Sequence, residues 1–456
     1  MDKRTRYSPE VRDHAVRLVL EHQEELGSQW QAIRSIATKI GCTAESLRQL
    51  MFRIGVRRGS GVLVLVLTTA CGGGERPSIT STITDSAGVS IVTSTGSVWG
   101  EGAARLDTNP LLRIGAEEAG PYQFSFISAG LLLDGEGVAV VELSANEVRL
   151  FDADGRHLRS VGRRGRGPGE FQVISGLFRK SGDSLAAYDQ IERRVTIFPR
   201  SSGEPRVVRS RAVPGGRGNF DAFGALGDGR LLLYNPGGGF RPDLQPGLQW
   251  VATEVVVLDP VDGTARTIAR LPSRQQFILP GGDTKVLAPA HGAIRAVSTN
   301  GFYWGTSDRY DIRYFDSDGN LRRILRRPVE PRPVVPAMIE AWIEGNLKEV
   351  RKFEGDAAVP RYRQRYEEGS YGDRAPLFDR AFVDSEERLW VGASEWPAHQ
   401  VAPVTWSIFA PNGTWLGDIA TPPQFRVLNC RDDLILGVWQ QEGEAPFVQV
   451  HRLLRP

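Results

Sequence analysis

The sequence has few of the residues that build metal centres and disulfide frameworks. Its 456 residues include 3 cysteines, 6 histidines and 3 methionines. Cys42, Cys71 and Cys430 are far apart and odd in number, which excludes a disulfide framework and a CxxC-type metal site. The histidines lack HExxH or any other ligand spacing, so neither a metal site nor a cofactor is predicted.

The chain also lacks a strong net charge, and its composition favours short strands. The 56 Lys and Arg exceed the 54 Asp and Glu by 2. Residues 1–58 carry 11 basic and 7 acidic residues, whereas the rest carry 45 and 47, and this imbalance suggests two parts with different functions. The 51 Gly and 28 Pro make the chain turn-rich, which is typical of many short strands.

A repeated pattern runs through residues 78–456, in which a polar turn precedes a short apolar strand. The six turns are Asp134-Gly135, Gly182-Asp183, Asp228-Gly229, Asn300-Gly301, Ser385-Glu386 and Asp432-Asp433. In five units a strand pair follows, and its turn contains a glycine that supplies a positive φ angle. These glycines are Gly155, Gly203, Gly263, Gly319 and Gly413.

Six units of four strands predict a mainly all-β fold, a six-bladed β-propeller over residues 78–456. Two longer gaps between units must hold insertions, and the one near residues 330–372 is predicted to be partly helical. The β-prone stretch 79–95 is expected to complete the last blade and so to close the ring.

The predicted propeller offers few candidates for chemistry. Five carboxylates precede the strands that we expect nearest the central channel, where turn formation is the simpler role: Asp134, Asp183, Asp228, Glu386 and Asp432. His291 and His399 are isolated, and we expect surface or satisfied histidines. Four tryptophans are expected to pack within blades rather than to form a sugar platform: Trp390, Trp396, Trp406 and Trp415.

A loop rich in glycine and arginine, residues 161–171 (VGRRGRGPGEF), is predicted to connect two blades. It lacks the GxGxxG spacing of dinucleotide sites, although its arginines could bind an anion. In the interpretation we favour, its glycines form the corner and Phe171 packs between adjacent blades. Its GPGEF ending resembles the NHL-like six-bladed propellers, and residues 120–124 (GPYQF) are similar to a degenerate copy. Residues 78–456 as a whole resemble propeller lipoproteins of environmental bacteria, whose biochemical role is mostly unassigned.

Residues 1–50 are predicted to form a small all-α helix-turn-helix module. Ala37 allows close helix crossing, Gly41 makes the turn, and Leu47 follows on the apolar face. The next helix would enter the major groove of DNA. Its candidate DNA-binding residues are Thr43, Glu45, Ser46, Arg48 and Gln49. A three-helix packing unit without DNA is the alternative.

Residues 3–49 resemble the N-terminal helix-turn-helix of insertion-sequence transposases of the two-frame type. The resemblance lies in the segments YSPE (7–10), GSQW (27–30) and GCT (41–43), and it implies binding to terminal inverted repeats. The leucine zipper of that family is missing, because the third helix breaks at Leu50-Met51. The catalytic acidic triad belongs to the second frame, so transposition by this chain alone is not expected.

Residues 51–71 are predicted to be a signal peptide that ends in a lipobox-like segment. A basic stretch (51–58) precedes the apolar run VLVLVL (62–67), and Cys71 is followed by a Gly-rich linker (72–77). The run is too short to span a bilayer. The arrangement resembles that of bacterial lipoproteins, in which the cysteine takes a diacylglyceryl group. A buried strand followed by a linker is the alternative.

Three functions follow from these features. The first is a non-catalytic propeller lipoprotein that carries a truncated transposase-type module and binds a protein, peptide or glycan. Started at Met51, it would be anchored to a membrane of the cell envelope through Cys71; with residues 1–50 retained, it would be cytoplasmic. The second is a sequence-specific DNA-binding protein of the transposase type. The third and weakest is a metal-dependent propeller hydrolase or lyase, for which no catalytic residue is predicted.

Overall fold

The structure is a computed structural model that describes most of the chain from residue 80 onward. The described residues are 80–100, 104–115, 120–135, 137–180, 184–200, 203, 205–209, 220–236, 245–397, 403–441 and 443–455. The predicted helix-turn-helix module, signal segment and linker lie outside them, and so do the predicted DNA-binding residues and Cys71.

The first four strands are short and join sheets that the chain builds later. They are β1 (Ser81–Ser86), β2 (Val89–Ser94), β3 (Arg105–Leu106) and β4 (Leu112–Ile114).

Six sheets, here called blades 1–6, follow one another along the chain. Blade 1 contains β5 (Ile127–Leu132), β6 (Val138–Glu142), β7 (Glu147–Phe151) and β8 (His157–Val161). Blade 2 contains β9 (Ile174–Lys180), β10 (Ser184–Asp189), β11 (Arg194–Pro199) and β12 (Arg206–Arg209). Blade 3 contains β13 (Asp221–Ala225), β14 (Leu231–Tyr234), β15 (Gly247–Leu258), β16 (Ala265–Ile278) and β17 (Thr284–Lys285).

The second half of the ring repeats this arrangement. Blade 4 contains β19 (Ala293–Ser298), β20 (Gly301–Thr306), β21 (Asp311–Asp316) and β22 (Leu321–Arg326). Blade 5 contains β24 (Phe378–Val383), β25 (Leu389–Ala393), β26 (Val404–Phe409) and β27 (Trp415–Thr421). Blade 6 contains β28 (Phe425–Arg431), β29 (Leu434–Trp439) and β30 (Phe447–Leu454). A separate parallel pair joins β18 (Leu287–Ala288) to β23 (Ser370–Tyr371).

The blades are arranged in a closed ring, because each packs against the next through a shared apolar cluster. Blades 6 and 1, for example, meet in one buried cluster that contains Leu436 and Val450 of blade 6 and Val138 and Val140 of blade 1. The same kind of cluster joins every other neighbouring pair. Sheets buried on both faces need strands that are apolar throughout, and the second strand of blade 1 is fully buried. The predicted six-bladed propeller is therefore confirmed.

The strand that closes the ring differs from the prediction. Strands β3 and β4 complete blade 6, since Leu106 pairs with Leu453 and Ile114 pairs with Val448. The predicted stretch 79–95 instead forms the hairpin β1–β2 and extends blade 4, where β2 runs parallel to β22. The prediction was wrong because the closing strands, which lie directly before blade 1, are too short for a clear β pattern.

The predicted hairpins and insertions are present. All five turn glycines have positive φ, and a Cβ at Gly319 (φ +88°) would lie 2.1 Å from the carbonyl oxygen of Ile268. The insertion near 330–372 forms α1 (Pro336–Glu354), a 3-10 turn (Asp356–Ala358) and α2 (Val359–Glu367). Its apolar residues pack on Ala288, Ala375 and Trp396. The other insertion is the extended hairpin of β15 and β16.

Candidate functional site

The inner strands of the blades surround a cavity of about 560 Å³ on the axis of the ring. It lies at the end of the blades where the inner strands begin, which we call the mouth end; the opposite end is the far end. Residues from the first half of the inner strands of blades 1–5 line it. A channel mouth of this size is a common place for a small ligand.

Backbone irregularities direct four side chains into this cavity. In four blades, one residue of the inner strand has no pairing partner on the second strand. These residues are Ser128 in blade 1, Ser175 in blade 2, Phe223 in blade 3 and Asp379 in blade 5, and all four line the cavity. A β-bulge of this kind redirects a side chain and is frequent next to functional sites. Blade 4 pairs regularly and contributes Arg295.

Arg295, Tyr234 and Asp221 form a polar cluster on blades 3 and 4. The Arg295 guanidinium lies 3.5 Å from the centroid of the Tyr234 ring and donates a hydrogen bond to its hydroxyl. Burial raises the pKa of Asp221, against the opposing effect of Arg295. Burial also raises the pKa of Tyr234 and lowers the pKa of Arg295. The Oδ1 atom of Asp221 is buried without a hydrogen-bond partner among the described residues.

Two more arginines extend the charged side of the channel. Arg380 donates two hydrogen bonds to the carboxylate of the neighbouring Asp379, from Nε to Oδ1 at 2.5 Å and from Nη2 to Oδ2 at 3.2 Å. Arg426 of blade 6 donates to the carbonyl oxygen of Ile127. Burial lowers the pKa of Arg426, and Arg380 lowers it further. Blades 3–5 thus supply the charged side chains of the cavity wall, and blades 1 and 2 supply Ser128 and Ser175. Arg426 is on the inner strand of blade 6 outside this wall and is exposed.

Among the described residues, Arg295 and Arg426 have no direct counter-ion. Neither forms an ion pair with a carboxylate of the part of the chain that the structure describes, and Asp221 acts on Arg295 only at longer range. Desolvated cations without a paired anion are costly in a folded protein. An anion in the channel mouth would compensate them.

The Gly-rich loops at the mouth end have the predicted structural role. Phe171 is fully buried between blades 1 and 2, and Phe124 has the same position one blade earlier. The loop before Phe171 is held by Arg194, which donates to the carbonyl oxygens of Arg166 and Glu170 and lies 3.8 Å from Asp189.

The loop before Phe124 is held in the same way. Arg149 donates to the carbonyl oxygens of Pro121 and Gln123, and Glu142 accepts from the backbone N–H groups of Ser125 and Phe126. Each loop is thus held by a buried arginine and a buried acid of the blade that follows it, as expected for two copies of one loop.

The carboxylates singled out in the sequence lie elsewhere. Asp134, Asp228, Glu386 and Asp432 are in turns between the first and second strands of their blades, at the far end, and Asp183 lies outside the described residues. They form turns as expected, but they precede the second strand and not the strand nearest the channel. The prediction was wrong because the strongest apolar runs belong to second strands, which are buried on both faces.

The remaining candidates have structural roles. His291 is buried with Nδ1 3.4 Å from Ser307 Oγ, and burial lowers its pKa, as fits a satisfied histidine; His399 lies outside the described residues. The four tryptophans pack in apolar clusters. Among the described residues, no group of three or more His, Cys, Asp or Glu side chains is placed to hold a metal ion. No described helix is long and apolar enough to cross a membrane.

Sequence reasoning did not find the channel residues, although a signal exists. In five blades the polar channel residue directly follows a buried Ile or Phe at the start of the inner strand. The pairs are Ile127-Ser128, Ile174-Ser175, Ile294-Arg295, Phe378-Asp379 and Phe425-Arg426. An alignment of the six units on their inner strands would have grouped them.

Comparison with known proteins separates the two parts of the chain. Its N-terminal stretch of about 48 residues is 67% identical to the uncharacterized 12 kDa proteins of insertion element IS629 from Shigella flexneri and Shigella sonnei. The match covers 10% of this chain and 44% of those relatives, so the chain spans less than half of their length. This stretch is therefore similar to an insertion-element protein, as the sequence indicated. No protein-family model matches the chain.

The similar solved structures align with most of the chain. A member of the DUF4221 family from Bacteroides vulgatus has a TM-score of 0.48 at 11% identity, covering 78% of this chain and 100% of its own. A gluconolactonase from Xanthomonas campestris has a TM-score of 0.40 at 14% identity, covering 73% of this chain and 87% of its own. Virginiamycin B lyase from Staphylococcus aureus has a TM-score of 0.40 at 11% identity, covering 77% of this chain and 100% of its own. These similarities concern the fold and carry no inference about activity.

Proposed function

We propose that this protein acts by binding, and that its ligand is a small anion held at the mouth of the propeller channel by Arg295 and Arg426. One observation carries the proposal: the Arg295 guanidinium is desolvated in the wall of a cavity large enough for a ligand, and neither it nor Arg426, on the inner strand of blade 6, has a carboxylate partner among the described residues. An anion would satisfy both charges through charge-assisted hydrogen bonds.

The chemistry of the rest of the mouth narrows the ligand to a hydroxylated carboxylate. Ser128 and Ser175 line the cavity, and their hydroxyl oxygens are buried without a hydrogen-bond partner among the described residues. Gln190 also lines the cavity. A carboxylate fits the planar guanidinium, and hydroxyl groups on the same ligand would face the two serines. Asp221 and Asp379 disfavour a ligand of high negative charge, because they place two carboxylates in the same cavity.

The experiment is calorimetric titration of the full chain with sodium D-gluconate, and with glucose as a neutral control. Arg295→Gln and Arg426→Gln should each weaken gluconate binding about tenfold or more, because a hydrogen bond to a charged group contributes ~1.5–3 kcal/mol. Arg156→Gln is the matched control, since Arg156 is 75% exposed in a far-end turn. Equal binding of gluconate and glucose, or equal loss in all three variants, would refute the proposal.

We further propose that the propeller is exported as a lipoprotein and that residues 1–50 are a truncated DNA-binding module of the transposase type. The similarity to the IS629 proteins supports a separate origin for this stretch. The sequence from Met51 to Cys71 supports export, because it has the order of a lipoprotein signal. Mass spectrometry of the native N-terminus tests the export, and a lipidated Cys71, which leaves the module out of the mature protein, is the expected result. An intact N-terminus at Met1 would contradict it.

A further inference from the structure

We infer that the channel mouth binds its anion together with one proton, and that Asp221 accepts this proton. The inference rests on the proposed anion site at Arg295 and adds a residue to that site. Asp221 determines specificity in this account, because its neutral form tolerates a carboxylate beside it and its ionised form repels one.

Asp221 lies in the wall of the proposed anion site. It is the first residue of β13, the inner strand of blade 3, and it lines the cavity together with Arg295. Its Oδ1 atom is buried and has no hydrogen-bond partner among the described residues. Leaving a buried oxygen unpaired costs free energy, and the cost is larger for a charged group than for a neutral one. The position therefore favours the protonated carboxyl group once its charge loses other support.

Among the described groups that face Asp221, Arg295 is the cation. Strand β13 packs against β9, β14 and β19. Tyr234 of β14 pairs with Asp221 across the two strands, and Arg295 of β19 donates to the Tyr234 hydroxyl. From β9 comes Ser175, which does not titrate, and Tyr188 of the next strand lies within electrostatic range. Burial raises the pKa of both tyrosines, so both are neutral near pH 7.

Charge balance assigns the proton to Asp221. Burial raises the pKa of Asp221, and the positive charge of Arg295 opposes this effect. A ligand carboxylate on Arg295 cancels that charge and adds a negative one to the same cavity. Two carboxylates that share a site do not both stay ionised without a large cost, so one of their pKa values rises strongly. Because Arg295 holds the ligand carboxylate in its ionised form, the proton goes to Asp221.

Asp379 provides a comparison within the same cavity. Both residues line the cavity, Asp379 from blade 5 and Asp221 from blade 3. The two carboxylate oxygens of Asp379 accept hydrogen bonds from Nε and Nη2 of Arg380, so its charge has a counter-ion of its own. The two carboxylates thus differ in their pairing, and we expect Asp221 to be the one coupled to the ligand. Asp379→Asn is therefore the matched control for Asp221→Asn.

The test is calorimetric titration of the full chain with sodium D-gluconate in bis-Tris and in Tris, two buffers of different ionisation enthalpy that are not anions. The difference between the two heats gives the number of protons taken up, because these protons come from the buffer. Gluconate is ionised near pH 7, and no described histidine lines the cavity, so the uptake reports on the carboxyl groups of the mouth. The parent and Asp379→Asn should take up at least ~0.5 proton per gluconate at about pH 7, and Asp221→Asn less than ~0.1.

The affinity for gluconate should follow the same linkage. Since the complex binds more protons than the free protein, the dissociation constant of the parent should rise at least about fivefold between about pH 6 and about pH 8. For Asp221→Asn it should change less than about twofold, because the amide does not titrate. Infrared difference spectra of the parent need no variant, and gluconate binding should add the carbonyl band of a protonated carboxyl group.

Failure of the inference and failure of the proposed function are distinguishable. Gluconate binding without proton uptake, or with equal uptake in the parent and Asp221→Asn, overturns the inference and leaves the anion site at Arg295 in place. If the parent does not bind gluconate at all, the proposed function is refuted and the inference falls with it. Circular dichroism shows whether a variant has misfolded, and in that case the infrared band of the parent decides the inference.

Discussion

Phe171→Ala tests the way in which the mouth-end loops join neighbouring blades. The ring of Phe171 is fully buried among residues of blades 1 and 2. Replacing a buried phenylalanine with alanine costs ~3–5 kcal/mol, and the cost rises when the surroundings cannot collapse into the void. A Cβ at Gly162 would lie 2.6 Å from this ring, so part of the wall is glycine backbone without a side chain that could fill the space. We therefore expect a loss in the upper half of this range.

The assay is urea unfolding followed by tryptophan fluorescence and circular dichroism. Phe353→Ala is the matched control, because Phe353 lies on α1 and is 76% exposed; its change should stay within ~0.5 kcal/mol. Phe124→Ala, in the equivalent loop, should behave like Phe171→Ala. A loss below ~1 kcal/mol for Phe171→Ala, or equal losses for Phe171→Ala and Phe353→Ala, would refute the reasoning.

Three further outcomes are expected in unfolding experiments. Gly319→Ala should destabilise the protein by more than ~1 kcal/mol because of its positive φ and the nearby Ile268 carbonyl. Gly345→Ala, at an exposed position of α1, should stabilise it by ~0.5–1 kcal/mol, and a loss in both variants would contradict this. Arg194→Met should cost ~3–5 kcal/mol by leaving the buried Asp189 carboxylate without its neighbouring cation, whereas the exposed Arg156→Met should cost little. Similar losses would contradict this expectation. The pKa of Asp221 in the folded protein is raised above its ordinary value of 3.8, so the folded protein loses stability as the pH rises through the folded-state pKa. Asp221→Asn should therefore be more stable than the parent at about pH 7 and equal to it below about pH 4. A gain that does not depend on pH would contradict this last expectation.

The architecture could be predicted from the sequence because each blade must bury two faces. That requirement produces apolar second strands such as Val138–Glu142 and glycine turns such as the one at Gly319. Both features recur once in most units, so the repeat is visible in the sequence. The closing strands were not predictable in this way. Arg105–Leu106 and Leu112–Ile114 have five residues in all, and they pair with a strand more than 300 residues later, so no local pattern marks them.

The channel site was missed for a related reason. Its residues are single polar positions on inner strands, and in four blades a bulge rather than regular alternation directs the side chain inward. In the sequence, Arg295 resembles any other polar strand residue. Whether a described carboxylate lies close enough to pair with it depends on how blades 3 and 4 meet. The turn carboxylates were predicted near the channel because they recur once in each unit, but this recurrence reflects the geometry of the hairpin turns.

The claim that the channel mouth holds an anion is tested most directly by a crystal structure of the protein grown with sodium D-gluconate. The account predicts the ligand carboxylate within ~2.7–2.9 Å of the guanidinium nitrogens of Arg295 or Arg426, with ligand hydroxyls toward Ser128 and Ser175. A channel that contains only water, with gluconate absent or bound at another surface, would contradict it.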